Sequence, residues 1–351
     1  MNKEQQKLKV LKMLKEDIIT QEQALDLLEV IARDSKSTVS DSDKEYPSMD
    51  LPQQPFDFFG TGNQLFSLTK EIDPSSFKGV KLIGKNSHIK VQTHHKSSIE
   101  ISGWYKQSRN NNLLITLEEN DGYYLLSYNY HGVKYLGFDV KVPIDMIGSL
   151  LIENSNASVD VSNVKGQDIF IKTKNASIDV NRCESESLIA MTKNSHVNVR
   201  KYQGNRLKVM TTNAEINTKE VISKEGEFQT TNASILIQDC NIERLSLETK
   251  NAQIWLDLAS QPLYKGVKYE IEGRTTNAGI EVLLPEEESV SYKLSGSTKR
   301  GKVLVAEDGL TIKAKDKGYL VAQSPGYELA NGKIEFDFQT TNGDIKLKEL
   351  Y

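Results

Sequence analysis

The chain has 351 residues, enough for two or three ordinary domains or for one long repeat array with an appendage. Hydrophobic residues make up 38%, too few for a thick α/β core, and the net charge of −4 comes without any Lys/Arg block, which argues against a nucleic-acid partner. No run of 18 apolar residues occurs, so no transmembrane segment is expected. The polar stretch Met1–Val10 has no apolar signal region; the cytoplasm is the default compartment, with surface or membrane association by another route left open.

Residues 1–33 read as a small α-helical hairpin. Leu8, Leu11 and Leu14 recur at helical spacing among Lys and Glu, and Asp17-Ile18-Ile19 makes the connection. Thr20 with Gln23 fits a capping box, after which Ala24, Leu25, Leu27, Leu28 and Ile31 form one apolar face. Two helices this short cannot bury a stable core alone. Leu11, Leu14, Ile18, Leu25 and Leu28 are therefore candidate contacts with a protein partner or a second copy, the alternative being a simple end cap. Residues 34–60, rich in Ser, Thr, Asp and Pro, read as a flexible linker. Phe56, Phe58 and Phe59 close it, either as docking aromatics or as the start of the folded domain.

Residues 61–351 read as β-structure. From Val80 onward apolar residues alternate with polar ones, as in Ile89 and Val91, Ile99 and Ile101, and Phe138, Val140 and Val142, the pattern of strands with one buried face. A repeat then takes over between residues about 150 and 257: Asn156, Asn175, Asn194, Asn213, Asn232 and Asn251 follow at intervals of 19. The unit returns at Asn277 and Asn342, and Lys85-Asn86-Ser87-His88-Ile89 is a weaker early copy. Apolar residues stand three and five places after each Asn (Ile178 and Val180, for example), four and six before it (Ile171 and Ile169), and eleven before it (Val164, Cys183, Tyr202, Val221, Cys240). Each unit thus has a strand, a corner, a second strand and a short third side. Such a unit buries its apolar edge only by stacking on the next copy, so the fold expected is a mainly β, single-chain parallel β-solenoid with 19-residue coils.

The inward positions before and after each Asn are out of phase by one residue, so the alternation must break there. Asn tolerates the left-handed conformation that such a corner is expected to need, and stacked Asn side chains can hydrogen-bond in a ladder. Asn156, Asn175, Asn194, Asn213, Asn232, Asn251, Asn277 and Asn342 are accordingly read as structural. Cys183 and Cys240 lie three periods apart at one repeat position, which puts them about 14 Å from each other, beyond disulfide reach, as buried thiols.

The chain lacks the usual nucleophile, phosphate-loop and zinc-protease motifs. His94 and His95 are adjacent, so on a strand they point to opposite faces, a poor metal pair. The outward position two after the Asn varies freely (Ser158, Ser177, His196, Glu215, Ser234, Gln253), as a solvated face does. Trp255, also at outward parity, is a candidate contact residue, or else packs on the loop at Pro262, Leu263 and Tyr264. No catalytic residue, cofactor or metal site is expected, and the chain is read as a non-enzyme.

The segment from Leu11-Lys12-Met13-Leu14 through Ile18-Ile19-Thr20 to Ala24-Leu25-Asp26-Leu27-Leu28 resembles the short helical (SHOCT-like) domain that opens YvlB- and LiaX-like proteins of Gram-positive bacteria. The Thr-Thr-Asn-Ala-x-Ile-x-Val repeats are similar to the "putative adhesin" domain of unknown function that follows it in those proteins. That resemblance implies a part in the cell-envelope stress response and a protein or envelope partner. Two further readings stand beside it: a surface adhesin for glycan or host protein, and a carbohydrate-active β-helix enzyme, which would need clustered carboxylates on one face.

Overall fold

The computed structural model describes residues 63–107, 113–129, 133–144, 148–259, 266–284, 290–305 and 310–348. All belong to the compact unit Phe59–Tyr351. The predicted helical hairpin, with Leu11, Leu14, Ile18, Leu25 and Leu28, lies outside the described residues, as do the linker with its three Phe and the loop at 262–264.

The described chain is mainly β and forms two parallel-rich sheets of 13 and 14 strands. Each regular coil contributes a four-residue strand to the first, such as Ile178–Asn181, and an eight-residue strand to the second, such as Glu184–Met191. Successive copies pair in register: Ile178 stands on Val159 and under Val197, and Leu188 lies between Ile169 and Leu207. Stacking at about 4.8 Å per strand satisfies the backbone and collects like residues into columns along one axis. The core is correspondingly thin, one layer of Val, Ile, Leu and Phe running the length of the stack.

The short third side belongs to the long-strand sheet. Register is skipped once between neighbouring eight-residue strands of the regular coils, at Gln167/Glu186 and Lys224/Glu243 for example, which divides each of these strands into two arms. The inward residue eleven before each Asn fills the angle ahead of the first arm: Val164, Cys183, Tyr202, Val221 and Cys240 are all buried.

One expectation is corrected. No ladder Asn has a positive φ; the left-handed residues of the repeating coils are Asn163, Arg182, Lys201, Glu220 and Asp239, with φ of 50–57°, twelve places before the respective ladder Asn. The reason is parity. Val161 and Val164 both face the core although three residues apart, and strict alternation forbids this. A single left-handed residue between them reverses the chain. At the Asn corner the phase shift is instead spread over a three-residue bend and held by a buried Thr column. Thr211, Thr230 and Thr249 donate their Oγ1 to the Ser195, Ala214 and Ala233 carbonyls of the preceding coil at 3.0, 3.1 and 3.0 Å.

The stack is not parallel throughout. At one end the short-strand sheet is extended by Ser98–Gln107, antiparallel to Val133–Pro143, and by Asn63–Glu71 beyond it. The long-strand sheet is closed there by the hairpin Ile115–Asn120 and Tyr123–Tyr128. At the other end Tyr319–Gln323 and Thr311–Asp316 add an antiparallel hairpin. Among the described residues no helix is long and apolar enough to cross a membrane.

Candidate functional site

Three outward-facing features are candidate sites. The first is the Asn column. Asn156 donates Nδ2 to Asn86 Oδ1 at 2.6 Å, Asn175 to Asn156 at 2.7 Å, and the pattern continues through Asn194, Asn213, Asn232, Asn251 and Asn277 to Asn342, whose Oδ1 then accepts from Arg300 at 3.3 Å. Each amide is both donor and acceptor, so this ladder spends its hydrogen-bonding capacity along the axis. The insertions that separate Asn251, Asn277 and Asn342 in sequence leave the column unbroken.

The second is the outer face of the short-strand sheet. Asp160, Asp179, Asn198, Asn217, Leu236, Trp255 and Glu281 stand in consecutive register there. Asn198 Nδ2 donates to Asp179 Oδ1 at 2.7 Å, and His88 Nε2 lies 3.3 Å from Asp160 Oδ2. Burial raises the Asp160 carboxyl above the usual aspartate value; the His88 ring opposes this and the Asp179 carboxylate one coil away adds to it. Trp255 is half-buried rather than freely exposed, because Leu236 and Glu281 flank it. His94 donates Nε2–H to the Ser98 carbonyl at 2.7 Å, and His95 lies in the turn after Ser87–His94.

The third, which the sequence reading passed over, is the outer face of the long-strand sheet. Lys81, Leu151, Phe170, Ile189 and Lys208 follow one another in register, a partly exposed apolar column bracketed by two lysines, and Met191 and Met210 stand in the column beside it. The signal was present in the sequence as apolar residues five places before Asn156, Asn175 and Asn194, a position of outward parity. Further along, the same face turns to charge. A shallow depression there is lined by Arg206, Lys208 and Arg244 together with Glu225, Glu227, Glu248, Glu270 and Glu272. Its three cations are held in ion pairs: Arg244 and Arg206 reach Glu225 at 2.6 and 3.4 Å and hold its carboxyl below the usual range, and Lys208 reaches Glu227 at 2.8 Å.

Two thiols and a phenol are turned away from solvent. Burial pushes Cys183 up to about 11 and Cys240 to about 12, and raises Tyr202 to about 12 where its hydroxyl meets Ser185. Both cysteines are free, and a thiol so raised is a poor nucleophile. Among the described residues no group of three or more His, Cys, Asp or Glu is placed to hold a metal.

Comparison with known proteins places this geometry. The family model "Toastrack DUF4097" matches residues 77–350. No curated protein matches the sequence. Among solved structures, the chain is similar to a "putative adhesin" from Parabacteroides distasonis (10% identity, 82% of this chain and 98% of that chain, TM-score 0.48). Another "putative adhesin", from Parabacteroides merdae, gives 11%, 81%, 96% and 0.38, and a "putative cell adhesion protein" from Clostridium sporogenes 11%, 82%, 100% and 0.23. At such identities and scores these likenesses carry no functional conclusion. The family match covers most of the chain and agrees with the stacked two-sheet solenoid: the protein belongs to the Toastrack DUF4097 family.

Proposed function

We propose that the chain is a non-enzymatic binding scaffold of the cell-envelope stress response, in which the solenoid presents a rigid face and the N-terminal helical segment engages a protein partner. The observation that carries the reading is the outward column Leu151, Phe170, Ile189, with Met191 and Met210 beside it. An in-register apolar strip on a face that is otherwise mostly polar and charged fits a partner contact better than it fits solvent. Polar groups elsewhere on the coils are engaged along the axis, in the Asn ladder and in cross-coil ion pairs such as Lys165–Glu184 at 2.9 Å. Such engagement favours a scaffold over a reaction centre. The N-terminal resemblance to YvlB- and LiaX-like proteins supports the envelope-stress setting and the role of the segment around Leu11 and Leu25.

The test is capture of partners from cell lysate by the full chain, by the Leu11→Glu/Leu25→Glu variant and by the Phe170→Asp/Ile189→Asp variant. Each substitution pair is expected to remove a distinct set of partners. Identical capture by all three would overturn the assignment of binding to these surfaces.

A second reading, a surface adhesin for glycan or host protein, draws on the Leu236–Trp255 step beside Asn198 and Asn217. Protease shaving of intact cells separates the two: loss of the protein favours the adhesin, and full protection favours the scaffold.

A further inference from the structure

The two ends of the stack differ from its flanks and complement each other. Nine large hydrophobic residues are exposed among those described, and six of them stand on or beside terminal strands: Leu65, Trp104 and Leu114 at one end, Leu304, Ile312 and Tyr319 at the other. Four strands have a neighbour on one side only among the described residues. Asn63–Glu71 and Ile115–Asn120 lie at the first end, Val303–Val305 and Thr311–Asp316 at the second. A strand edge of this kind offers a row of backbone donors and acceptors to another chain.

On the long-strand sheet the two edges carry opposite charge. Ile115–Asn120 presents exposed Glu118 and Glu119. Thr311–Asp316 is exposed at all six positions and carries Lys313 and Lys315 against the single Asp316, with Lys317 in the following turn, which leaves the edge net basic. Like ends repel, Lys against Lys or Glu against Glu. Unlike ends attract.

The ends are also stepped in opposite senses. Beyond the first coil, Gly79–Ile83 with Ser87–His94, the short-strand sheet continues by three strands and the long-strand sheet by two. Beyond the last, Val290–Thr298 with Val303–Val305, the long-strand sheet continues by two strands and the short-strand sheet by none. A projection at one end therefore meets a recess at the other, to within one strand spacing of about 4.8 Å.

We propose that copies of this chain associate head to tail, the basic Thr311–Asp316 edge of one adding to the acidic Ile115–Asn120 edge of the next. Unlike patches meeting in this way generate open chains or rings rather than two-fold dimers. The contact is electrostatic at the long-strand sheet and apolar at the short-strand sheet, where Leu304 of one copy approaches Leu65 and Trp104 of the next.

Sedimentation velocity on the full chain tests this, with concentration and salt varied. The wild type is expected to form species larger than a dimer as concentration rises, and to lose them in high salt. Glu118→Lys/Glu119→Lys and Lys313→Glu/Lys315→Glu are each expected to weaken association at least about tenfold. Mixing the two variants restores it, because each retains one native end and the two reversed ends match. All four positions are exposed, and a melting curve for each variant checks its fold. A wild type that stays monomeric over the range, association indifferent to salt, or folded variants whose mixture behaves as each does alone would each overturn the proposal.

Discussion

Thr218 offers the sharpest test of the column logic. It stands between Val199 and Ile237 in the inward column five places after the ladder Asn, is fully buried, and its Oγ1 is the buried side-chain oxygen among the described residues that has no hydrogen-bond partner. A hydroxyl stripped of water and left unpaired costs about 1–3 kcal/mol, while Val has nearly the same shape. Replacing oxygen by a methyl also adds about 0.8 kcal/mol of apolar burial. Thr218→Val is therefore expected to stabilise the chain by about 1–2 kcal/mol after allowance for imperfect packing. Val199→Thr, one coil away in the same column, should lose about 1–3 kcal/mol by the reverse change. Urea midpoints measured under identical conditions read both, with an unchanged slope confirming that the denatured state is not the cause. A neutral or destabilising Thr218→Val together with a neutral Val199→Thr would refute the reasoning, since the column would then tolerate a hydroxyl at no cost.

Three further outcomes are expected. Asn213→Ala removes two ladder bonds of 2.7 Å, whereas Asn86→Ala removes one, so the urea midpoint should fall about twice as far for the first; at about 0.5–1 kcal/mol per exposed bond the difference is measurable, and equal losses would contradict an additive ladder. The raised thiols of Cys183 and Cys240 mean that the folded state holds their protons more tightly than the unfolded state, so their contribution is complete below about pH 9 and is lost as pH rises toward 11 and 12. Denaturation midpoints should decline across that window in the wild type and decline less in Cys183→Ala/Cys240→Ala. Asp160, whose carboxyl is raised chiefly by burial, ionises more readily in the unfolded chain, so its effect has the same sign. Asp160→Asn should raise stability at neutral pH and lose that advantage in acid below the ordinary aspartate pKa of 3.8; a gain independent of pH would point to packing instead.

What was legible and what was not divide along one line. Inward columns such as Ile178–Val197–Ile216 and Leu188–Leu207 were readable because a one-layer core forces each coil to repeat the apolar choice of its neighbours. The left-handed corner was not readable, because Asn163, Arg182, Lys201, Glu220 and Asp239 share no side-chain type that announces the conformation. They look like a varied surface, and the two flanking inward residues impose the geometry on them. The antiparallel ends were hidden for a related reason: alternation in Ile99–Ile101 or Phe138–Val140 says that one face is buried but does not say which way the neighbouring strand runs.

The apolar strip at Leu151, Phe170 and Ile189 is written in the sequence at an outward parity, five places before the ladder Asn, where a single coil gives no sign that its neighbours make the same choice. The basic and acidic edges are different in kind. Lys313 and Glu118 are far apart in the chain, and only the stacking order puts them at opposite ends of one sheet.

By itself, then, the order of residues determined the 19-residue coil, its inward columns and the Asn ladder, since each follows from a local rule repeated at constant spacing. Tertiary structure alone decided which corner is left-handed, how the stack ends, and which outward residues meet to make a surface. Those depend on relations between coils that no single coil encodes, because hydrogen-bond direction and end-to-end order are set by the neighbours a strand finds in space.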